Sequence, residues 1–160
     1  VGINLGNLGF LADVDKNEID IAVKKLVNGD YSIEKRMLLE TKIIRDNNVI
    51  ATDTALNDVV VSRGALSRIL HLRTYVDDNF MDMFPGDGLI ISTPTGSTAY
   101  TLSAGGPIVQ PDAGLIIVTP ICPHLLYSRS FIATKDKVVK VIVDEDCDYN
   151  AMVMKYEEEI

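Results

Sequence analysis

The stretch from Pro85 to Gly106, PGDGLIISTPTGSTAYTLSAGG, restricts the fold more than any other part of this 160-residue chain. It holds five of the eleven glycines. It opens on a turn, Pro85-Gly86-Asp87-Gly88, because glycine admits positive φ at little steric cost. Leu89-Ile90-Ile91 shows no polar alternation and reads as a strand buried on both faces. Pro94 cannot donate to a sheet ladder, so that strand should stop near Thr93. A dense set of hydroxyls follows: Ser92, Thr93, Thr95, Ser97, Thr98, Tyr100, Thr101 and Ser103. Ser97 or Thr98 is expected to cap a short helix running to about Ser103. Its first N–H groups, pointing outward beside small hydroxyl residues, suit the polar edge or phosphate of a nucleotide. The stretch fits equally well a tight strand–turn–helix corner whose hydroxyls only cap backbone. It contains no G-x-x-x-x-G-K-[ST], no G-x-G-x-x-G opening a helix after a strand, and no G-x-S-x-G elbow.

The rest of the chain bounds what surrounds this stretch. Apolar residues make up 47%, which places the chain among globular proteins. Its length suits one domain spanning residues 1–160, or one domain plus a remnant of another, with a sizeable core. A net charge of −8 argues against nucleic acid as a general partner, since phosphate backbones need a basic face. No apolar run approaches the ~20 residues of a membrane span. No leader with a small-residue cleavage site is visible. Two cysteines, Cys122 and Cys147, are too few for a disulfide framework, so the expectation is a reduced, cytoplasmic protein. Val1 to Leu5 is an apolar run with no preceding cap, which predicts the interior of a larger protein.

Gly2 to Leu11 reads as a strand and a glycine-rich turn, or as a crossover between domains. Asp15 and Glu18 form a capping-box pattern, and Ile19, Ala22, Val23, Leu26 and Val27 fall on one helical face before Asn28-Gly29 ends the helix. From Tyr31 the period changes. Ile33, Met37, Leu39 and Ile43 alternate with charged residues and predict one long half-exposed strand. Asp46-Asn47-Asn48 is a hairpin turn, with a return strand beginning at Val49. Val59 to Val61, Arg68 to Val76, Asn79 to Phe84, Leu115 to Val118 and Val138 to Val143 read as further strands, with a turn at Asp77-Asp78. Short strands with turn signals and one long helix indicate a mainly β, sandwich-like fold. The missing helical crossovers exclude a Rossmann sheet. The acidic residues Asp144, Glu145, Asp146, Asp148 and Glu157 to Glu159 fit no EF-hand loop and read as a solvated loop and end.

Few residues outside the central stretch carry chemistry. Asn57-Asp58 precedes an apolar strand; an amide beside a carboxylate binds the two hydroxyls of a ribose, and the same pair is ordinary turn chemistry. Asp87 fits Asx-type capping of its own turn. His71 reads as a structural histidine within a strand. A hydrolytic triad from Ser97, His124 and Asp87 lacks an elbow. Cys122 and His124 make an incomplete metal set.

The run GDGLIISTPTGSTAYTLSAGGPIV resembles the signature of the NAD kinases, the enzymes that phosphorylate NAD to NADP. GINLGNLGFLADV (2–14), ALNDVVVSRG (55–64) and TPICPHLLYSR (119–129) resemble the same family in the same order. The resemblance implies the β-sandwich-like C-terminal domain of the NAD kinase and diacylglycerol-kinase-like superfamily. Family members carry a further N-terminal α/β domain with a Gly-Gly-Asp-Gly motif, whose aspartate is the catalytic base; here it is expected upstream of Val1. No catalytic or metal-binding residue is therefore expected in this chain. The resemblance implies that Asn57 and Asp58 hold the adenosine ribose, although the commoner acid at the second position is a glutamate. It implies that Asp87 contacts the nicotinamide end, in its own or a neighbouring subunit. Thr95, Thr98, Ala99 and Tyr100 match positions surrounding the adenine, and Thr101, Leu102 and Ser103 continue that segment. Arg68 matches a basic position near the NAD site, where a cation offsets pyrophosphate charge; it also reads as a surface arginine. ATP or polyphosphate with Mg²⁺ or another divalent metal is the implied donor, and a homodimer or homotetramer the implied assembly. Neither nucleic acid nor membrane is an expected partner. Two other readings are a non-catalytic nucleotide-binding module and a lipid kinase relative.

Overall fold

The structure, a computed structural model, describes residues 1–5, 14–64, 69–143 and 151–156. It divides into two compact units, one of residues 1–35 and the other of Arg36–Glu158.

In the first unit, β1 (Ile3–Asn4) and β2 (Val14–Asp15) form a short parallel pair. The glycine-rich turn expected between them lies outside the described residues. A 3-10 turn, Lys16–Glu18, leads into α1 (Ile19–Asn28). Asp15 caps the 3-10 turn, and its N–H donates to the Glu18 carboxylate at 3.4 Å, as the capping-box pattern requires. At the other end the N–H groups of Gly29 and Asp30 return to the carbonyls of Leu26 and Lys25, a Schellman ending.

The second unit is a β-sandwich. The chain builds β3 (Leu39–Arg45), β4 (Asn48–Ala55), β5 (Asp58–Arg63), β6 (Leu70–Val76), β7 (Asn79–Gly86), β8 (Gly88–Ser92), α2 (Tyr100–Ser103), β9 (Leu115–Ile121), β10 (Phe131–Thr134), β11 (Val139–Val143) and β12 (Ala151–Tyr156). One sheet has the order β10-β9-β8-β5-β12 and a second β11-β6-β7; β3 and β4 form a separate hairpin. All pairings in this unit are antiparallel. Alternation decides what each strand buries. Val61, Leu89, Ile116 and Val118 of the larger sheet meet Leu70, Leu72 and Phe84 of the smaller, with Leu39 alongside. The opposite face of the larger sheet is also buried: Val60, Ile90 and Ile117 have no exposed surface. The apolar run Leu89 to Ile91 therefore packs on both sides, as its lack of alternation required.

Two turns match their sequence signals closely. Asp46 and Asn47, then Asp77 and Asp78, adopt positive φ at both central positions, the two-residue hairpin geometry that agrees with strand twist.

Two expectations need correction. The long strand from Tyr31 starts only at Leu39; Ile33 is 82% exposed and pairs with nothing. Alternation there finds no partner strand among the described residues to satisfy its backbone. The acidic residues expected as a solvated loop and end, Asp144 to Asp148 and Glu157 to Glu159, lie outside the described residues; between them β12, which sequence reading did not assign, pairs with β5 from Asp58 to Arg63. His71 is not a packed structural histidine; it sits on the exposed face of β6 opposite Pro85.

Candidate functional site

The hydroxyl-rich segment after β8 is fastened to the turn before β5. The Thr93 hydroxyl donates to the Leu56 carbonyl at 2.5 Å and accepts the Gly96 N–H at 3.1 Å. The Thr93 N–H donates to the Asn57 carbonyl at 2.9 Å. A Cβ at Gly96 would lie 2.1 Å from that same carbonyl oxygen, so only glycine allows the two backbones to touch here. The Ser97 hydroxyl donates to the Val109 carbonyl at 3.2 Å and accepts the Val109 N–H at 3.1 Å. The Arg36 guanidinium donates to Thr95 Oγ1 at 3.3 Å.

This network overturns the expected helix from Ser97 or Thr98 to Ser103. The segment forms a 3-10 turn, Thr95–Thr98, a break at Ala99 (φ −93°, ψ −128°), and the single turn of α2. Neither hydroxyl caps α2, because Ser97 is committed to Val109 and Thr98 to the Thr95 carbonyl. The N–H groups of Gly96, Ser97, Ala99 and Leu102 are bonded within the segment itself and are not offered outward.

Beneath the segment lies an unsatisfied polar group. Asn57, Asp58, Ser92 and Thr101 are at most 2% exposed. Asn57 Oδ1, both Asp58 carboxylate oxygens, Ser92 Oγ and Thr101 Oγ1 make no hydrogen bond among the described residues. Asp58 and Ser92 are register partners across β5 and β8. Burial pushes the Asp58 carboxyl up to about 6. Each unmet buried polar atom costs about 1–3 kcal/mol, so such a concentration points to partners that complete it.

Asp58, Val60 and Ser62 alternate onto one face of β5, and Ser62 stands about 13 Å along the strand from Asp58 at ~3.3 Å per residue. There Ser62, Arg63, Gly64, Asp87, Tyr100 and Ile121 line an open cleft of about 250 Å³. Arg63 Nε donates to Asp87 Oδ1 at 2.7 Å, and the Arg63 N–H donates to the Asp87 carbonyl at 3.0 Å. The Asp87 N–H donates in turn to Ile121 at 3.0 Å. At Gly88 a Cβ would lie 2.4 Å from the Val61 carbonyl, so the glycine after Asp87 lets β8 close on β5.

The structure thus separates the sequence candidates into two places. Asn57 and Asp58 are buried, with Ser92 across from Asp58; Thr95 belongs to the turn whose Gly96 lies against the Asn57 carbonyl, and Thr101 is buried against Gly106 and close to Thr119. Asp87 and Tyr100 face the cleft, so a residue matched to the adenine and one matched to the nicotinamide end share one wall. Thr98 and Ala99 are half-buried, while Leu102 and Ser103 are exposed. Arg68 lies outside the described residues. Sequence reasoning assigned nothing to Ser62 or Arg63, although both lie in the quoted stretch ALNDVVVSRG. Among the described residues no three His, Cys, Asp or Glu side chains converge as a metal site would require. No described helix is long and apolar enough to cross a membrane.

The larger sheet thus carries a hydroxyl-rich cover, a buried amide and carboxylate, and an adjoining cleft. Residues 56–157 match the family model of the ATP-NAD kinase C-terminal domain, and the chain belongs to that family. It is 67% identical over 153 residues to an NAD kinase of Acetivibrio thermocellus, covering 96% of this chain and 53% of that protein. An NAD kinase of Ruminiclostridium cellulolyticum is 54% identical over the same length, covering 96% and 54%. Yeast NADH kinase, solved with NADH, superposes with a TM-score of 0.80 at 33% identity, over 94% of this chain and 48% of that one. The Archaeoglobus fulgidus NAD kinase, solved with ATP, gives 0.79 at 27% identity, over 96% and 57%. The chain spans about half the length of these curated relatives.

Proposed function

We propose that this chain supplies the acceptor-binding half of an NAD kinase, which transfers a phosphoryl group to the 2′-hydroxyl of the adenosine ribose of NAD. The observation that carries this reading is the unsatisfied set Asn57, Asp58, Ser92 and Thr101 within the family-matched residues. An amide and a carboxylate side by side hold two vicinal hydroxyls, and an ionised Asp58 accepts from both. The Thr95–Ser103 segment orients the adenine beside them. In the reaction a bond forms between the ribose 2′ oxygen and the terminal phosphorus of the donor. The bond from that phosphorus to its bridging oxygen breaks, and ADP leaves when ATP is the donor. The hydroxyl proton passes to the aspartate of the upstream Gly-Gly-Asp-Gly motif that the family resemblance implies. This chain contributes positioning, which matters greatly where there is little covalent chemistry for the protein to do.

The ATP bound to the Archaeoglobus relative supports ATP as donor, with polyphosphate as the alternative. A divalent ion would supply charge neutralisation at the donor phosphates; no cluster of described residues here fits as its holder. A homodimer or homotetramer in the cytoplasm completes the reading.

Calorimetric titration of NAD into the protein, beside Asn57→Ala, tests it. Saturable binding weakened about tenfold or more in the variant is expected, since one lost bond to a buried ligand is worth about 1.4 kcal/mol. Equal binding by both would remove the ribose from this site. Turnover by residues 1–160 alone would overturn the division of labour.

A further inference from the structure

The cleft holds a charge arrangement that ribose binding does not use. Arg63 grips Asp87 twice, through side chain and backbone, at 2.7 and 3.0 Å. The two side chains are 39% and 34% exposed, so as a stabilising ion pair they contribute little. As a source of field inside the cleft they matter more, because a carboxylate alone would make this wall negative. The remaining lining has a consistent character. Tyr100 offers a π face, Ile121 an apolar surface, and Ser62 Oγ is buried with no partner. Such a wall fits a flat ring carrying a polar substituent. A carboxylate beside an aromatic face favours a cationic ring over a neutral one. An arginine bound to that carboxylate reduces the preference. NAD⁺ and NADH differ in this respect: the nicotinamide ring is cationic in the first and neutral in the second. One relative is an NADH kinase and others are NAD kinases, so the redox state of the acceptor varies within the family.

We infer that Arg63 is a positioning residue that fixes Asp87 in the cleft and, by offsetting its charge, sets how strongly the protein distinguishes NAD⁺ from NADH. This rests on the acceptor-binding reading above. The test is calorimetric titration of NAD⁺ and of NADH into the full-length protein that contains this chain, as wild type, Arg63→Gln, Arg63→Lys and Asp87→Asn. Arg63→Gln is expected to raise the ratio of NAD⁺ to NADH affinity about fivefold, equivalent to ~1 kcal/mol. Arg63→Lys keeps the charge and holds the ratio within about twofold of wild type. Asp87→Asn lowers the ratio. An Arg63→Gln protein that loses affinity for both nucleotides equally would make the pair a mere clip between β5 and the corner before β8, and the inference would fall. Should that variant not fold, a ratio unmoved by Asp87→Asn overturns it as surely. A wild-type protein that binds neither nucleotide removes the acceptor reading itself, whereas a constant ratio with binding intact removes only the role of Arg63.

Discussion

Asp58 has no exposed surface, no hydrogen-bond partner among the described residues, and a carboxyl raised by burial to about 6. Its folded value lies above its unfolded one, so the folded state binds the proton more tightly. Stability from this group is complete below about 4 and is lost as the pH rises through about 6, roughly 3 kcal/mol in total. A carbon-detected NMR titration of the Asp58 carboxyl should give a midpoint near 6, and Asp58→Asn should flatten the fall in stability across that window. A midpoint near 4 would show that solvent reaches the group. The pair Asn57-Asp58 was legible in the sequence because an amide, a carboxylate and an apolar run are adjacent along the chain. Its isolation was not, since burial depends on Thr95 to Thr101 folding over it. Arg63 was missed for a related reason. An arginine ending a strand looks like a surface residue until Asp87, in a different turn, is placed against it.

The cover over Asn57 depends on close backbone contact at Gly96. In Gly96→Ala the added methyl meets the Asn57 carbonyl, which cannot yield without releasing Thr93. The expected outcome is loss of NAD binding while the far-ultraviolet circular dichroism of the sandwich persists; retained affinity would mean that the cover can shift freely. Elements built on local signals read true. Paired positive-φ turns and unbroken apolar runs announce themselves within a few residues. The helix after Pro94 misled because the same hydroxyls that cap helices also tie loops to distant carbonyls, here Leu56 and Val109. The strand β12 was hidden because Ala151 to Tyr156 borders an acidic run, and only pairing with β5 makes it a strand.

The two sheets of the second unit share one core, and Phe84 sits at its centre with 2% exposure. Phe84→Ala should cost about 3–5 kcal/mol by urea denaturation, against less than about 0.5 for Ile44→Ala, which is 63% exposed. Similar losses at both sites would mean that the sheets do not pack on each other as described. The order of the larger sheet also governs how the molecule is made. Its inner strand β5 receives β8 after about thirty residues but waits roughly ninety for β12. During synthesis the Val59–Val61 backbone therefore spends several seconds as an open edge, at ~5–20 residues per second. Apolar edges of this kind recruit foreign strands. The nascent protein thus has an interval in which its yield depends on keeping that edge from other chains, a hazard that the stability of the finished fold does not remove.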